Sequence, residues 1–116
     1  MMNEAMTEPN YRQRFTLYHS NEDAFREALM EVDLPFETSY HIVATVEAEC
    51  LGHVYQLTNH IESNWTDNAE VLELFTPKNR TRSTSVGDII VDERGQGWRV
   101  LGMGFAPVTV RTSAAR

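Results

Sequence analysis

At 116 residues the chain is long enough to enclose one modest core without disulfides or metal, which predicts a single domain spanning 1–116. Hydrophobic residues make up 41% and charged residues 23%, an ordinary globular balance, and no run approaches the roughly 18 consecutive apolar residues of a membrane-spanning helix. The formal net charge is -7, and an acidic surface repels nucleic acid while attracting basic partners.

That total conceals two unlike ends. From Met1 to Phe75 fourteen acidic residues face only Arg12, Arg14 and Arg26, a balance of -11. From Thr76 to Arg116 seven basic residues face Asp88, Asp92 and Glu93, a balance of +4. The ends are suited to different partners, or to each other. The opening "MMNEAMTEPN" carries acids and no basic region before an apolar stretch, so a secretory signal is not expected. A lone Cys50 has no intramolecular disulfide partner, which fits a reducing, cytoplasmic setting. Without an export signal, the glycosylation patterns at Asn64 and Asn79 read as chance.

Along the chain, "YRQRFTLYHS" puts Phe15 and Leu17 on one side and Thr16 and Tyr18 on the other, the period of a strand. Ser20 then suits a helix N-cap with Asp23 three residues on, and Ala24, Phe25, Ala28, Leu29 and Val32 recur at helical spacing. Pro35 ends that helix, and "ETSYHIVATVEAE" alternates Ile42, Ala44 and Val46 against His41, Val43 and Thr45 as a second strand. A second helix is expected from Ala48 to about Ile61 on the face Leu51, Val54, Tyr55 and Ile61, with Gly52 costing about 1 kcal/mol relative to alanine. "SNWTDN" reads as a loop, "EVLELF" as a short strand and "TPKNRTRST" as a polar connection.

Two β-rich runs, "DIIVD" and "WRVLGMGF", flank the glycine turn "ERGQG" as a C-terminal β-hairpin, with Gly102 and Gly104 suggesting a bulge or a close backbone approach. The expected fold is α+β in the order βαβαβββ, a small mixed or antiparallel sheet with two helices packed on one face. Residues 1–10 and 112–116 are expected to fray.

Chemistry-bearing residues are sparse. Cys50 and His53 have helical ligand spacing but supply half a metal site, and His60 would sit roughly 10 Å further along the helix axis, too far for one ion. Glu47 and Glu49 share a side of the second strand without a partner for acid-base work. Neither Ser83 nor Ser85 lies in a G-x-S-x-G elbow, and no P-loop lysine follows Gly95 or Gly97. No catalytic residue, cofactor or metal is expected.

The best anion site is "RSTSVGDIIV" with its approach. Arg80 and Arg82 offer planar donor forks, Thr81, Ser83, Thr84 and Ser85 add hydroxyls, and Trp98 and Arg99 lie on the following hairpin. Those hydroxyls are equally able to satisfy their own backbone in a turn.

From about Tyr40 to Val108 the chain resembles the YodL-like family of small proteins often encoded on phages, plasmids and other mobile elements. The marks are "YHIVATVEA", "LGHVYQLTN", a spacer, "RSTSVGDII" and a closing "MGF". The spacer, with Trp65 and "PKNRTR", is longer than the family pattern. The resemblance implies a recurring structural turn at Ser83, Ser85, Gly87 and Asp88, and no substrate or cofactor. With the charge pattern, it leads to the expectation of a non-enzymatic cytoplasmic accessory protein that binds a host protein or protein complex. An inhibitor of host defence of the anti-CRISPR or antirestriction type fits. The acidic surface would comprise Glu22, Asp23, Glu27, Glu31, Glu47 and Glu49. The alternative is a nucleic-acid-binding module using Arg80, Arg82, Arg99 and Arg111.

Overall fold

The computed structural model describes residues 12–21, 40–59, 64–78 and 81–109. Six strands form one sheet: β1 (Gln13–Ser20), β2 (Tyr40–Ala48), β3 (Val71–Leu74), β4 (Ile89–Val91), β5 (Gly97–Val100) and β6 (Phe105–Val108). Their order across the sheet is β3-β2-β1-β4-β5-β6, and every neighbouring pair is antiparallel. One helix, α1 (Leu51–Thr58), and a 3-10 turn at Trp65–Asp67 complete the described elements.

This architecture corrects the expected one. Instead of two helices packed on a sheet, the described chain is mostly antiparallel sheet with one short helix and a 3-10 turn. Ser20, expected to cap the first helix, ends β1 in register with Tyr40. The remainder of that expected helix, residues 22–32, lies outside the described residues. The second helix begins later than its apolar spacing suggested, because Ala48 is still held in the sheet opposite Gln13.

The expected last strand is also two strands. Leu101 N donates to Gly104 O at 3.0 Å, and Gly104 takes φ 82, a left-handed conformation open to glycine, so the chain reverses between β5 and β6.

The core follows from alternation on β1. Phe15 lies opposite Val46, and Leu17 lies between Ala44 and Ile90, so three strands bring apolar side chains to one face. Val54 of α1 and Trp65 of the 3-10 turn close over them, all within one buried cluster. Each such large side chain taken fully from water contributes roughly 1.5–3 kcal/mol. A smaller cluster, Tyr40 and Ile89 with Tyr18, Val91 and Val108, forms from residues of the opposite parity.

Strict alternation fails on β2. Leu17 pairs with Ala44 but Tyr18 pairs with Ile42, so Val43 is an extra residue, a β-bulge. Val43 and Ala44 are consequently both fully buried while Ile42 is 37% exposed, where the sequence pattern had grouped Ile42 with Ala44 and Val46. A second irregularity pairs Thr45 with Glu73 and Val46 with Val71, leaving Leu72 unmatched on β3.

The end of α1 is tied to distant chain. Its Leu57 carbonyl accepts from Asn68 Nδ2 at 2.7 Å and its Thr58 carbonyl from Thr84 N at 2.9 Å, satisfying groups that a helix end leaves open. Thr84 thereby brings the loop before β4 against the core. No helix among the described residues is long and apolar enough to cross a membrane.

Candidate functional site

The loop that carries "RSTSVGD" is fastened along its length. Trp65 Nε1 donates to Arg82 O at 2.9 Å, and Asn59 Nδ2 donates to Thr84 O. Gly87 N donates to Val100 O at 2.8 Å, with Gly87 at φ 98, and Asp88 N donates to Ser85 O at 3.1 Å. The Gly87-Asp88 step is therefore the turn that delivers the chain into β4.

At the centre is Asp88, fully buried. Its Oδ1 accepts from Ser20 N at 2.9 Å and from Arg82 Nη2 at 2.9 Å; its Oδ2 accepts from Ser85 N and from Arg82 Nη1, both at 2.8 Å. The Arg82 fork also reaches Ser20 O, Ser83 O and Ser85 Oγ. Two backbone amides and a bidentate arginine are what a buried carboxylate requires. Arg82, Ser83 and Ser85 are thus brought together, around the chain's own carboxylate.

His19 lines the same interior, with its Nε2 3.1 Å from Thr84 Oγ1 and 3.8 Å from Asp88 Oδ2. Burial lowers its pKa from 6.5 to about 4, with Arg82 and His41 pushing the same way and Asp88 opposing. His19 is therefore neutral near pH 7, and its approach to Asp88 is not an ion pair there. Burial, with Arg82 next, also lowers the pKa of His41, whose Nδ1 is 2.7 Å from Asn21 Oδ1.

A relay of the Ser-His-Asp kind uses the two ring nitrogens for different partners. Here the hydroxyl and the carboxylate both face Nε2, and Thr84 is fully buried. The arrangement suits structural support.

The other expected site residues are dispersed. Trp98 on β5 donates from Nε1 to Asp92 Oδ2 at 3.1 Å; burial alone would raise the Asp92 pKa, but hydrogen bonds from Trp98, Gln96 and Arg94 lower it. Arg99 is half-buried beside Tyr40, whose pKa burial raises against the pull of Arg99. Glu47 is exposed on β2, and Glu49 is exposed just after it, its amide donating to His53 Nδ1 at 3.1 Å. Arg80, Glu22, Asp23, Glu27 and Glu31 lie outside the described residues, as do Arg111 and His60.

Cys50 is exposed, and no group of three or more His, Cys, Asp or Glu able to hold a metal occurs among the described residues. An open cleft of about 370 Å³ between Arg12, Arg14, Glu47 and Glu93 mixes both signs of charge, with Glu93 Oε2 accepting from Arg14 N at 2.8 Å.

Sequence reading passed over His19, Asn59 and Trp65 as members of the polar cluster. One signal was present for His19: it continues the inward period of Phe15 and Leu17, which places a polar ring in the core and calls for partners there.

Comparison of the chain with family models, with curated proteins and with solved structures gives no match.

Proposed function

We propose that the protein acts by binding another protein through its acidic surface, without catalysis of its own. The observation that carries this reading is an asymmetry in how charge is used. Arg82, the arginine best placed for an anion, is locked onto Asp88, whereas Glu49 and Glu73 stand exposed with no ion pair to a described residue. Glu47 faces Arg14 across β1 and β2, and Arg94 is exposed and likewise makes no ion pair with a described residue. A surface of unpaired carboxylates attracts basic proteins and repels phosphate backbones. The finer reading is a cytoplasmic accessory protein of a phage or mobile element that inhibits a host defence complex, and it rests on the YodL-like resemblance together with this acidity.

Arg82 also bears on the alternative. A module that grips nucleic acid through Arg80, Arg82, Arg99 and Arg111 would have to draw Arg82 away from a buried carboxylate, which is costly.

The test is retention of host proteins on the immobilised chain at low and high salt, beside a Glu47→Lys/Glu49→Lys variant and mobility shifts with DNA and RNA. Expected are a basic protein released by salt, weaker retention on the variant, and no shift of nucleic acid. Retention indifferent to salt and to charge reversal contradicts the acidic surface, because exposed charges are screened within about 10 Å at 0.1 M salt.

A further inference from the structure

We propose that the β3 edge of the sheet is a docking rail for an extended, lysine- or arginine-bearing segment of a partner protein, which adds there as a further strand. The proposal rests on the acidic-surface reading and names where and how that surface is used.

The two outermost strands of the described sheet differ. In β6, Pro107 removes a backbone donor, a common protection of an edge against pairing. The β3 sequence VLEL holds neither proline nor lysine. Phe75 N donates to Val43 O at 2.7 Å, which fixes the phase of the ladder. By the alternation of antiparallel pairing, the N–H and C=O of Leu74 then face away from β2, toward the side on which no described strand pairs.

Apolar anchors lie beside this edge. Leu72, left unmatched by the register irregularity, is 44% exposed, Phe75 is 45% exposed, and Ile42 on the adjacent strand is 37% exposed. They supply side-chain contacts next to a main-chain ladder, the combination by which strand addition gains both affinity and selectivity.

Charge selects the occupant. Glu73 lies opposite Thr45, and Glu47 is two residues further along the same strand, so the two exposed carboxylates share one side of the sheet. Neither makes an ion pair with a described residue, but Glu47 has Arg14 opposite it on β1, so Glu73 is the carboxylate at this edge with no described cation facing it. A second copy of the chain paired edge to edge would bring Glu73 near its own equivalent, and like charges facing across a ladder destabilise it. A strand with lysine or arginine between apolar residues meets both features.

The probe is a short peptide of alternating lysine and valine, with a glutamate-valine peptide as control, followed by amide chemical shifts and hydrogen exchange at low salt. The expected result is shifts concentrated at Leu72 to Phe75, slowed exchange of the Leu74 amide, and no effect of the control. Glu73→Lys and Leu72→Asp should each weaken peptide binding about tenfold. Both change exposed side chains, and unchanged amide shifts around Trp98 verify folding. Shifts centred elsewhere, or binding by both variants as tight as that of the parent protein, overturn the proposal. Salt-sensitive capture of a basic protein that survives both substitutions overturns the β3 edge alone; absence of any salt-sensitive capture removes the acidic-surface reading beneath it.

Discussion

Arg82 holds Asp88 by two parallel hydrogen bonds of 2.8 and 2.9 Å, and the carboxylate between them is fully buried. This joins the loop before β4 to the end of β1, since Asp88 also accepts from Ser20 N. Removing one member leaves the other without its match. Asp88→Ala should cost about 3 kcal/mol or more, because the guanidinium and the amides of Ser20 and Ser85 all lose their acceptor. Arg82→Ala should cost at least as much, because it leaves the fully buried carboxylate with only the Ser20 and Ser85 amides, whereas the 42% exposed Arg82 side chain can turn toward water when Asp88 is removed. Arg82→Lys should recover only part of the loss for want of the planar fork. Urea unfolding of the three variants checks the order; an Asp88→Ala protein as stable as the parent contradicts it.

Acid should destabilise the fold before most carboxylates titrate. The pKa of His19 is lowered by burial from 6.5 to about 4, so the unfolded chain takes up a proton that the folded chain refuses. The stabilising contribution is complete above about pH 6.5 and is lost as pH falls toward about 4, amounting to about 3 kcal/mol. His41, also lowered, acts in the same direction. Asp92 has a pKa below 3.8, so its contribution persists until the pH falls under that value and leaves the histidine window distinct. Unfolding midpoints that stay flat between about pH 7 and pH 4.5 contradict a neutral, buried His19. Replacement by glutamine should flatten the profile.

Local periodicity revealed strands more readily than it revealed their register. Phe15 and Leu17 announced the inward face of β1, and the apolar run Ile89–Val91 with the glycine-rich turn announced β4 and its partner β5. The bulge at Val43 was hidden because the extra residue is apolar like its neighbours, and only the partner strand defines which residue is extra. The break between β5 and β6 was hidden for a related reason: "LGMGF" continues an apolar run, and Gly104 marks a reversal only once its φ is known.

At the site, the residue types of the "RSTSVGD" loop were legible as suited to an anion. That the anion is Asp88, six positions beyond Arg82 in the same loop, depends on the turn at Gly87 and on Ser20 arriving from β1. Long-range closure of that kind leaves no periodic trace.

The turn between β5 and β6 offers an internally controlled test of backbone conformation. A Cβ added to Gly102 or to Gly104 meets nothing within 4 Å, so packing does not distinguish them. Only Gly104 has a left-handed φ, 82. Gly104→Ala should therefore cost about 1–2 kcal/mol, while Gly102→Ala should be neutral or slightly stabilising through a less flexible unfolded chain. Thermal unfolding of the two variants separates the effects; equal losses would mean that the left-handed φ of Gly104 does not set the cost.

Trp65 and Trp98 should respond unequally to the same substitution. Trp65 is 1% exposed and donates to the Arg82 carbonyl, whereas Trp98 is half-buried and donates to Asp92. Trp65→Phe leaves a cavity and an unmatched carbonyl in the loop that Arg82 anchors, at a cost of about 2–3 kcal/mol. Trp98→Phe, near solvent, should cost under about 1 kcal/mol, since water replaces the lost donor. Loosening of the loop should also be local: Thr84 N, bonded to Thr58 O, should exchange faster with deuterium in Trp65→Phe under conditions where the Leu17 amide remains protected. Uniform acceleration at both amides would show that Trp65 stabilises the whole fold without a particular hold on the loop.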